Sequence, residues 1–525
     1  MASQNSGISR RQVLQAGLGA TALFLPAPYA WVWAQSDGAM KLLRLPKIAL
    51  VIGNSNYKNA PQLVNPGNDA KAISETLRQS GFEVTVKLDA GREDMAAAIR
   101  THAQTLAARK AVGLFYFAGH GVQLAWRNYL IPVDAAVRKL DDIQATCVDL
   151  TSLIEGINKA SNPMNVVILD ACRENPFGDI RIESRGLSQI DAPHSTLLAY
   201  ATAPGNVASD GEGANGLYTE NLLREIKTPD AKIEDVFKRV RLNVRRSTKG
   251  QQIPWESTSL EEDFYFVPPK ELKRLSDAEA ARAFEVELAI WEKIKTSTDP
   301  APLEEYLRRY PGGKFSELAQ FQLDRVLAAL GEKKIEIASQ QNNPFTAGTG
   351  RVGTNFKIGD SYTGRRIDLL TRLEQGGGTL TVTGITDTEI IYNKGGFVTD
   401  YLGNVRKHPN GFMATGSQIF LAEYSIGKRW TTTYSGIRRD GKPDEWTMNY
   451  RVVGTVKITV PAGTFDTFRI EGGGYNRAGG NLYTHKYWIA PGKVRRPIAQ
   501  ETTIRHRNGT FMDNDRVEMV SYRQS

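Results

Sequence analysis

The sequence predicts a multidomain chain in three folded parts: an α/β domain with a mostly parallel sheet flanked by helices, then a short α-helical segment, then an antiparallel all-β domain. Three observations carry this. Between Lys47 and about Pro268 short apolar runs alternate with amphipathic stretches; from about Lys270 to Glu332 the composition turns to Ala, Glu, Leu, Arg and Lys; beyond residue 354 apolar and polar residues alternate between Gly-rich turns. At 525 residues the chain exceeds what a single hydrophobic core organises.

In the first part Ile48–Ile52, Glu83–Leu88, Val112–Phe117, Asn165–Leu169 and Thr196–Ala201 read as buried strands. Asp69–Gln79, Arg92–Ala108, Leu150–Ala160, Tyr218–Ile226 and Ile233–Arg245 carry apolar residues at i, i+3 and i+4, the stripe of an amphipathic helix. This alternation of strands and helices argues a mostly parallel sheet covered on both faces, an α/β domain over 47–268.

Residues 270–334 read as three helices, broken at Ser297-Thr298-Asp299-Pro300 and at Tyr310-Pro311-Gly312-Gly313, and resemble a tetratricopeptide-type helical hairpin. Residues 335–353, rich in Gln, Asn, Gly and Thr, suit a linker. In 354–525, Thr379–Tyr392, Gly416–Tyr424, Trp446–Val460, Phe465–Gly474 and Leu482–Ile489 read as antiparallel strands, half-open or barrel-like. The phrase from Val460 to Phe468, with Tyr487-Trp488-Ile489-Ala490-Pro491-Gly492, is similar to a β module of bacterial envelope proteins, which makes an envelope protein the partner expected for this domain.

Residues 1–34 read as a leader. Ser9-Arg10-Arg11-Gln12-Val13-Leu14 before the apolar stretch Ala16–Ala34 resembles a twin-arginine export signal, departing from its commonest residues at Val13 and Gln15. Pro26 and Pro28 interrupt the apolar stretch and Val32-Trp33-Ala34 offers a cut after Ala34, which favours cleavage over a permanent membrane anchor, so a product that is periplasmic or otherwise exported by the twin-arginine pathway is expected, without an integral membrane span once the leader is removed. Two cysteines, Cys147 and Cys172, provide no disulfide framework. The formal charge of +9 is spread thinly over the chain. Its densest basic stretch, Lys238-Arg239-Val240-Arg241 with Arg245-Arg246, has helical spacing without interleaved aromatics and predicts a solvated helix face, not a nucleic-acid site.

Chemistry concentrates at two strand ends. After Gly113–Phe117 the chain reads Ala118-Gly119-His120-Gly121, and after Val166–Leu169 it reads Asp170-Ala171-Cys172-Arg173. Parallel α/β sheets place their sites at these carboxyl edges. A thiol becomes a strong nucleophile as its thiolate, and His120 can take that proton and later protonate a leaving amine. The N–H groups of Gly121 and Cys172 are candidates for an oxyanion hole. No metal-ligand spacing appears around His408, His485 or His506, and no cofactor is expected, with no loop assignable to calcium.

In this order the two motifs resemble the caspase and metacaspase superfamily of cysteine peptidases, over about Lys47 to Phe266. Gly53-Asn54-Ser55-Asn56-Tyr57, Asn68-Asp69-Ala70, Ala199-Tyr200-Ala201-Thr202-Ala203-Pro204-Gly205, Gln252-Ile253-Pro254-Trp255-Glu256 and Phe264-Tyr265-Phe266 extend the likeness. The nucleophile motif departs from the caspase Gln-Ala-Cys-Arg-Gly by carrying Asp170 and Glu174. The resemblance implies a Cys172–His120 dyad acting on peptides or proteins, and a substrate pocket formed by Asp69, Asp170 and Asp210. Clustered carboxylates favour Arg or Lys before the scissile bond. Each aspartate also has a structural reading: Asp170 orienting its loop, Asp69 capping a helix, Asp210 in a Gly-flanked turn. Arg181 and Arg185 are candidate processing sites, and Cys147 reads as a packing residue. The competing reading is a catalytically silent caspase-like scaffold; a nucleotide site is a poor one, because Val51–Asn56 lacks the glycines of a phosphate loop.

Overall fold

The computed structural model describes residues 39–172, 175–178, 180, 187–204, 206, 213–270, 277–335, 343–438 and 440–525. The first domain runs β1 (Lys47–Gly53), α1 (Pro66–Gln79), β2 (Glu83–Leu88), α2 (Arg92–Arg109), β3 (Val112–Leu124), β4 (Arg127–Leu130), α3 (Leu140–Thr146), β5 (Val148–Asp149), α4 (Leu150–Ala160), β6 (Met164–Cys172), β7 (Thr196–Tyr200), α5 (Leu217–Ile226), α6 (Ile233–Ser247) and β8 (Trp255–Thr258). The main sheet has the order β2-β1-β3-β6-β7-β8, parallel through β7 and closed by antiparallel β8. The expectation of a buried strand fails at Glu83–Leu88, because β2 stands at the sheet edge and is left partly exposed.

The period of two along each strand sorts the core into two layers. Ala49, Val51, Leu114, Tyr116, Val166 and Ile168 face α1, α5 and α6 through Ile73, Leu77, Leu222, Phe237 and Val240. Leu50, Ile52, Phe115, Phe117, Val167 and Leu169 face α2 and α4 through Met95, Ile99, Leu153 and Ile157. Each such side chain, when fully buried, contributes about 1.5–3 kcal/mol, so both faces of the sheet must be covered for the strands to pair.

Helices α7 (Asp277–Ile294), α8 (Pro300–Arg309) and α9 (Ser316–Ala329) follow. They dock on α6, which overturns the solvated reading of its basic stretch. Arg245, 4% exposed, reaches Asp324 at 2.6 Å and Glu332 at 2.5 Å; Arg246 reaches Glu304 at 2.5 Å; Arg239 Nε donates to the Arg308 carbonyl at 2.9 Å. Spacing alone does not distinguish a helix face wetted by solvent from one matched by acidic partners.

The C-terminal part closes a barrel of twelve antiparallel strands, from Ser361–Asp368 to Phe511–Arg523, which pair with each other. Strand Pro443–Val460 buries Asp444, Trp446, Met448, Tyr450 and Val452 in turn, the last four joining Tyr434, Ile470 and Tyr487 in one apolar cluster. Two expected strands differ. Thr379–Tyr392 is split into Glu374–Ile385 and Ile390–Tyr392 by a turn in which Glu389 N donates to Thr386 Oγ1. Gly416–Tyr424 is irregular except for Glu423–Tyr424, because side chains take its amides: Gln418 N donates to Thr432 Oγ1, Phe420 N to Asn404 Oδ1 and Ala422 N to Glu317 Oε2.

The described residues of the expected linker run as a strap against the first domain. Asn343 Nδ2 donates to the Gln189 carbonyl at 2.9 Å, Thr346 Oγ1 to Asp191 Oδ1 at 2.6 Å, and Ala347 N to Asp191 Oδ2 at 2.9 Å. Arg127 lies over the Phe345 ring at 5.4 Å.

Candidate active site

β3 does not stop at Phe117. It runs on through Gly119-His120-Gly121, pairing first with β6 and then with β4, and this continuation sets His120 directly opposite Cys172 in the parallel register. Ala118 stands opposite Asp170 one step earlier. Gly119 has φ +151°, and a Cβ there would come within 2.5 Å of Tyr57 Oη, so the approach of the loop after β1 requires glycine. A Cβ on Gly121 would meet the Ala171 and Leu187 side chains at 3.0 and 3.1 Å.

His120 is 4% exposed and held from three sides. Its backbone N–H donates to Tyr57 Oη at 2.8 Å, its carbonyl accepts from Ile131 N at 3.0 Å, and its ring packs against Tyr57 with centroids 4.6 Å apart. Nε2 lies 2.8 Å from the Pro61 carbonyl. A carbonyl only accepts, so Nε2 carries the hydrogen, and the lone pair of the neutral imidazole is at Nδ1. Because Ile131 bonds the His120 carbonyl, Gly121 and Leu130 form the non-hydrogen-bonded pair of the β3–β4 ladder, and the Gly121 N–H turns away from β4.

Asp69 and Asp170 come together around Tyr116. Asp170 Oδ2 accepts from Thr219 Oγ1 at 2.6 Å and from Tyr116 Oη at 3.3 Å. Asp69, 3% exposed, accepts from Asn215 Nδ2 at 2.8 Å and from Gly216 N at 3.0 Å. Burial, then Asp170 and then Asp69, push the Tyr116 phenol well above its ordinary range. Asp69 thus ties the start of α1 to the residues leading into α5, a tertiary bond that the helix-cap reading does not describe. The side chain of Cys172, and all of Asp210, Arg181 and Arg185, lie outside the described residues.

Cys147 is buried among Tyr57, Val122, Tyr129, Ile131 and Ile143, and burial pushes its thiol up to about 12. At neutral pH it is a packing group. Sequence reasoning missed Tyr57 as a positioning group, Pro61, Thr219 and Asn215. Tyr57 stood in a quoted motif without a role; Pro61 acts through its backbone, which has no side-chain signature.

A cavity of about 2040 Å³ lies elsewhere, between α6, α9 and the barrel, and is lined by Arg241, Glu317, Glu423 and Arg451 among others. None of His120, Asp69 or Asp170 borders it. It is an inter-domain cleft of mixed charge, and the site is defined by the strand ends instead.

Fold and strand-end geometry together describe a caspase-type α/β domain, and the family model of the caspase domain, peptidase C14, matches residues 46–265. The chain is similar to mucosa-associated lymphoid tissue lymphoma translocation protein 1 of Homo sapiens, 28% identical over 221 residues that cover 41% of this chain and 26% of that protein; the Mus musculus homologue matches equally. It is also similar to caspase-1 of Rattus norvegicus, 22% identical over 252 residues, covering 44% of this chain and 61% of that one. The chain thus spans about a quarter of the length of the first two relatives. Among the described residues no helix is long and apolar enough to cross a membrane.

Proposed function

We propose that this chain is an exported cysteine endopeptidase in which Cys172 attacks the scissile carbonyl and His120 is its base. The observation that carries the reading is the register that sets these two residues opposite each other at the carboxyl edge of β3 and β6. With Nε2 donating to Pro61, His120 takes the thiol proton at Nδ1; the C–S bond forms as the carbonyl π electrons move to oxygen, and the N–H groups of Gly121 and Cys172 receive that charge. His120 returns the proton to the leaving amine, and water then hydrolyses the thioester by the same base. The carboxylates of Asp69 and Asp170, with Asp210 as a third contributor, select Arg or Lys before the cleaved bond. The leader places the product in the periplasm, where the β domain meets an envelope partner.

Incubation with an electrophilic peptide bearing Arg should add one label at Cys172, read by intact mass and peptide mapping. Cys172→Ala should abolish turnover and His120→Ala should reduce it almost as far, because the pair acts as a unit. Undiminished cleavage by the Cys172→Ala protein overturns the assignment.

A further inference from the structure

The C-terminal end of strand Ser361–Asp368 and the start of strand Phe511–Arg523 lie side by side, with Asp368 opposite Asp515. Two hairpin tips therefore share one end of the barrel, and Leu369 N donates across to the Asn514 carbonyl at 2.9 Å. On them Leu370 is 79% exposed, Leu373 68%, Phe511 52% and Met512 48%. Four large apolar side chains held in water at one place are unfavourable unless something covers them. The first tip is also stiff: Asp368 Oδ1 accepts from Leu370 N at 2.9 Å and Thr371 N at 2.7 Å, so the leucines are presented, not floppy.

Charge identifies the cover. Arg366 at the base of the tips is neutralised by Asp513 and Asp515. Arg372, Arg505 and Arg507, exposed beside the apolar side chains, form no ion pair among the described residues, and Arg505 lies over the Phe511 ring at 4.6 Å. Strand addition by a protein partner needs an open sheet edge, which a closed barrel lacks. Exposed apolar turns carrying arginines without ion pairs match an apolar medium faced with anions.

We propose that this barrel end is a membrane-docking tip, inserting Leu370, Leu373, Phe511 and Met512 at the surface of an anionic bilayer while Arg372, Arg505 and Arg507 meet lipid phosphates. The inference stands independently of the peptidase reading.

The test uses the full chain carrying Met512→Trp, whose indole reports locally whatever the leader does, read as the difference in emission from the parent chain. Vesicles of phosphatidylglycerol and phosphatidylethanolamine should shift this emission to the blue, and phosphatidylcholine vesicles should do so far less. Adding Leu370→Ser and Leu373→Ser, both at exposed positions, should weaken the partition coefficient at least about tenfold, at the usual cost of losing buried apolar area. Arg372→Gln with Arg507→Gln should weaken it about tenfold at low salt and little at high salt, since each arginine near an anionic surface contributes comparably. No shift with any vesicle, or a shift unchanged by the serine pair, overturns the proposal. So does a blue shift that needs no vesicles and grows with protein concentration, which would make a second copy of the chain the cover.

Discussion

Replacing Asp170 with Asn separates charge from shape at the proposed specificity pocket. The amide oxygen can still accept from Thr219 Oγ1, now 2.6 Å from Asp170 Oδ2, and from Tyr116, so the local hydrogen bonds survive while the negative charge goes. A guanidinium about 4 Å from a carboxylate in a partly screened site gains roughly 4 kcal/mol. Desolvation of the pair takes back part of that, leaving about 2–4 kcal/mol, or about 30- to 1000-fold in kcat/KM at about 1.4 kcal/mol per tenfold. The assay is a double-mutant cycle over Asp170 and Asn against substrates carrying Arg or its neutral isostere citrulline before the scissile bond. Asp170→Asn should depress Arg cleavage by that factor and leave citrulline cleavage within about threefold, because the lost term is charge on charge. If both substrates fall equally, Asp170 positions the strand end and does not read the substrate; if native protein prefers Asp at that position, the carboxylate pocket itself is wrong.

Other consequences are equally open to measurement. His102 is buried on α2, and burial alone holds its pKa at about 4 against an ordinary 6.5. The unfolded chain therefore binds a proton there before the folded one does, so stability is intact above pH 6.5 and falls between pH 6.5 and about 4 by about 3 kcal/mol; His102→Leu should remove that portion of the acid loss in denaturant titrations of the caspase-type domain. Arg245→Ala leaves Glu332 buried without its cation and should cost about 3–5 kcal/mol at the α6–α9 interface, seen as earlier hydrogen exchange in α7–α9, whereas equal exchange would make the ion pairs incidental. Cys147, with its thiol pushed up to about 12, should resist iodoacetamide at pH 8 in the folded protein, and active, unreduced protein should show no Cys147–Cys172 crosslink by mass spectrometry.

What was legible in the sequence follows from what side chains record. β1, β3 and β6 are buried on both faces, so their apolar runs appear without ambiguity; α4 shows its stripe because one side of it is covered, and α6 because its second face is matched by acidic partners and stays polar in sequence. β5 is two residues long and β4 four, too short for a period to register. In the barrel, Phe465–Gly474 and Leu482–Ile489 were recognisable from alternation, but Arg429–Ile437, with its run Thr431-Thr432-Thr433, was not, since threonine reads as neither clearly apolar nor polar. At the site His120 and Cys172 announce themselves by residue type. Asn54 does not, although its amide donates to the Ala90 and Ile131 carbonyls and its oxygen accepts from Ala90 N, joining three loops beneath the histidine.

The same ladder that sets His120 opposite Cys172 also sets Ala118 opposite Asp170, so the proposed base, the proposed nucleophile and the proposed specificity carboxylate share one register. A slip of one residue between β3 and β6 would displace all three together, and the apolar pattern of both strands, buried on two faces, opposes any slip. Support from outside the sheet enters at Leu187, which packs on Gly121. Leu187 leads into Ser188, whose N–H donates to Asn128 Oδ1 at 2.7 Å, and into Asp191, which accepts from Thr346 and Ala347 of the strap. The segment entering the β domain therefore reaches Gly121, the proposed oxyanion donor, through one short loop of the caspase-type domain, by packing and hydrogen bonds alone. Loosening the strap should disturb Gly121 before it disturbs the sheet, because the ladder is fixed by the core and the loop is not.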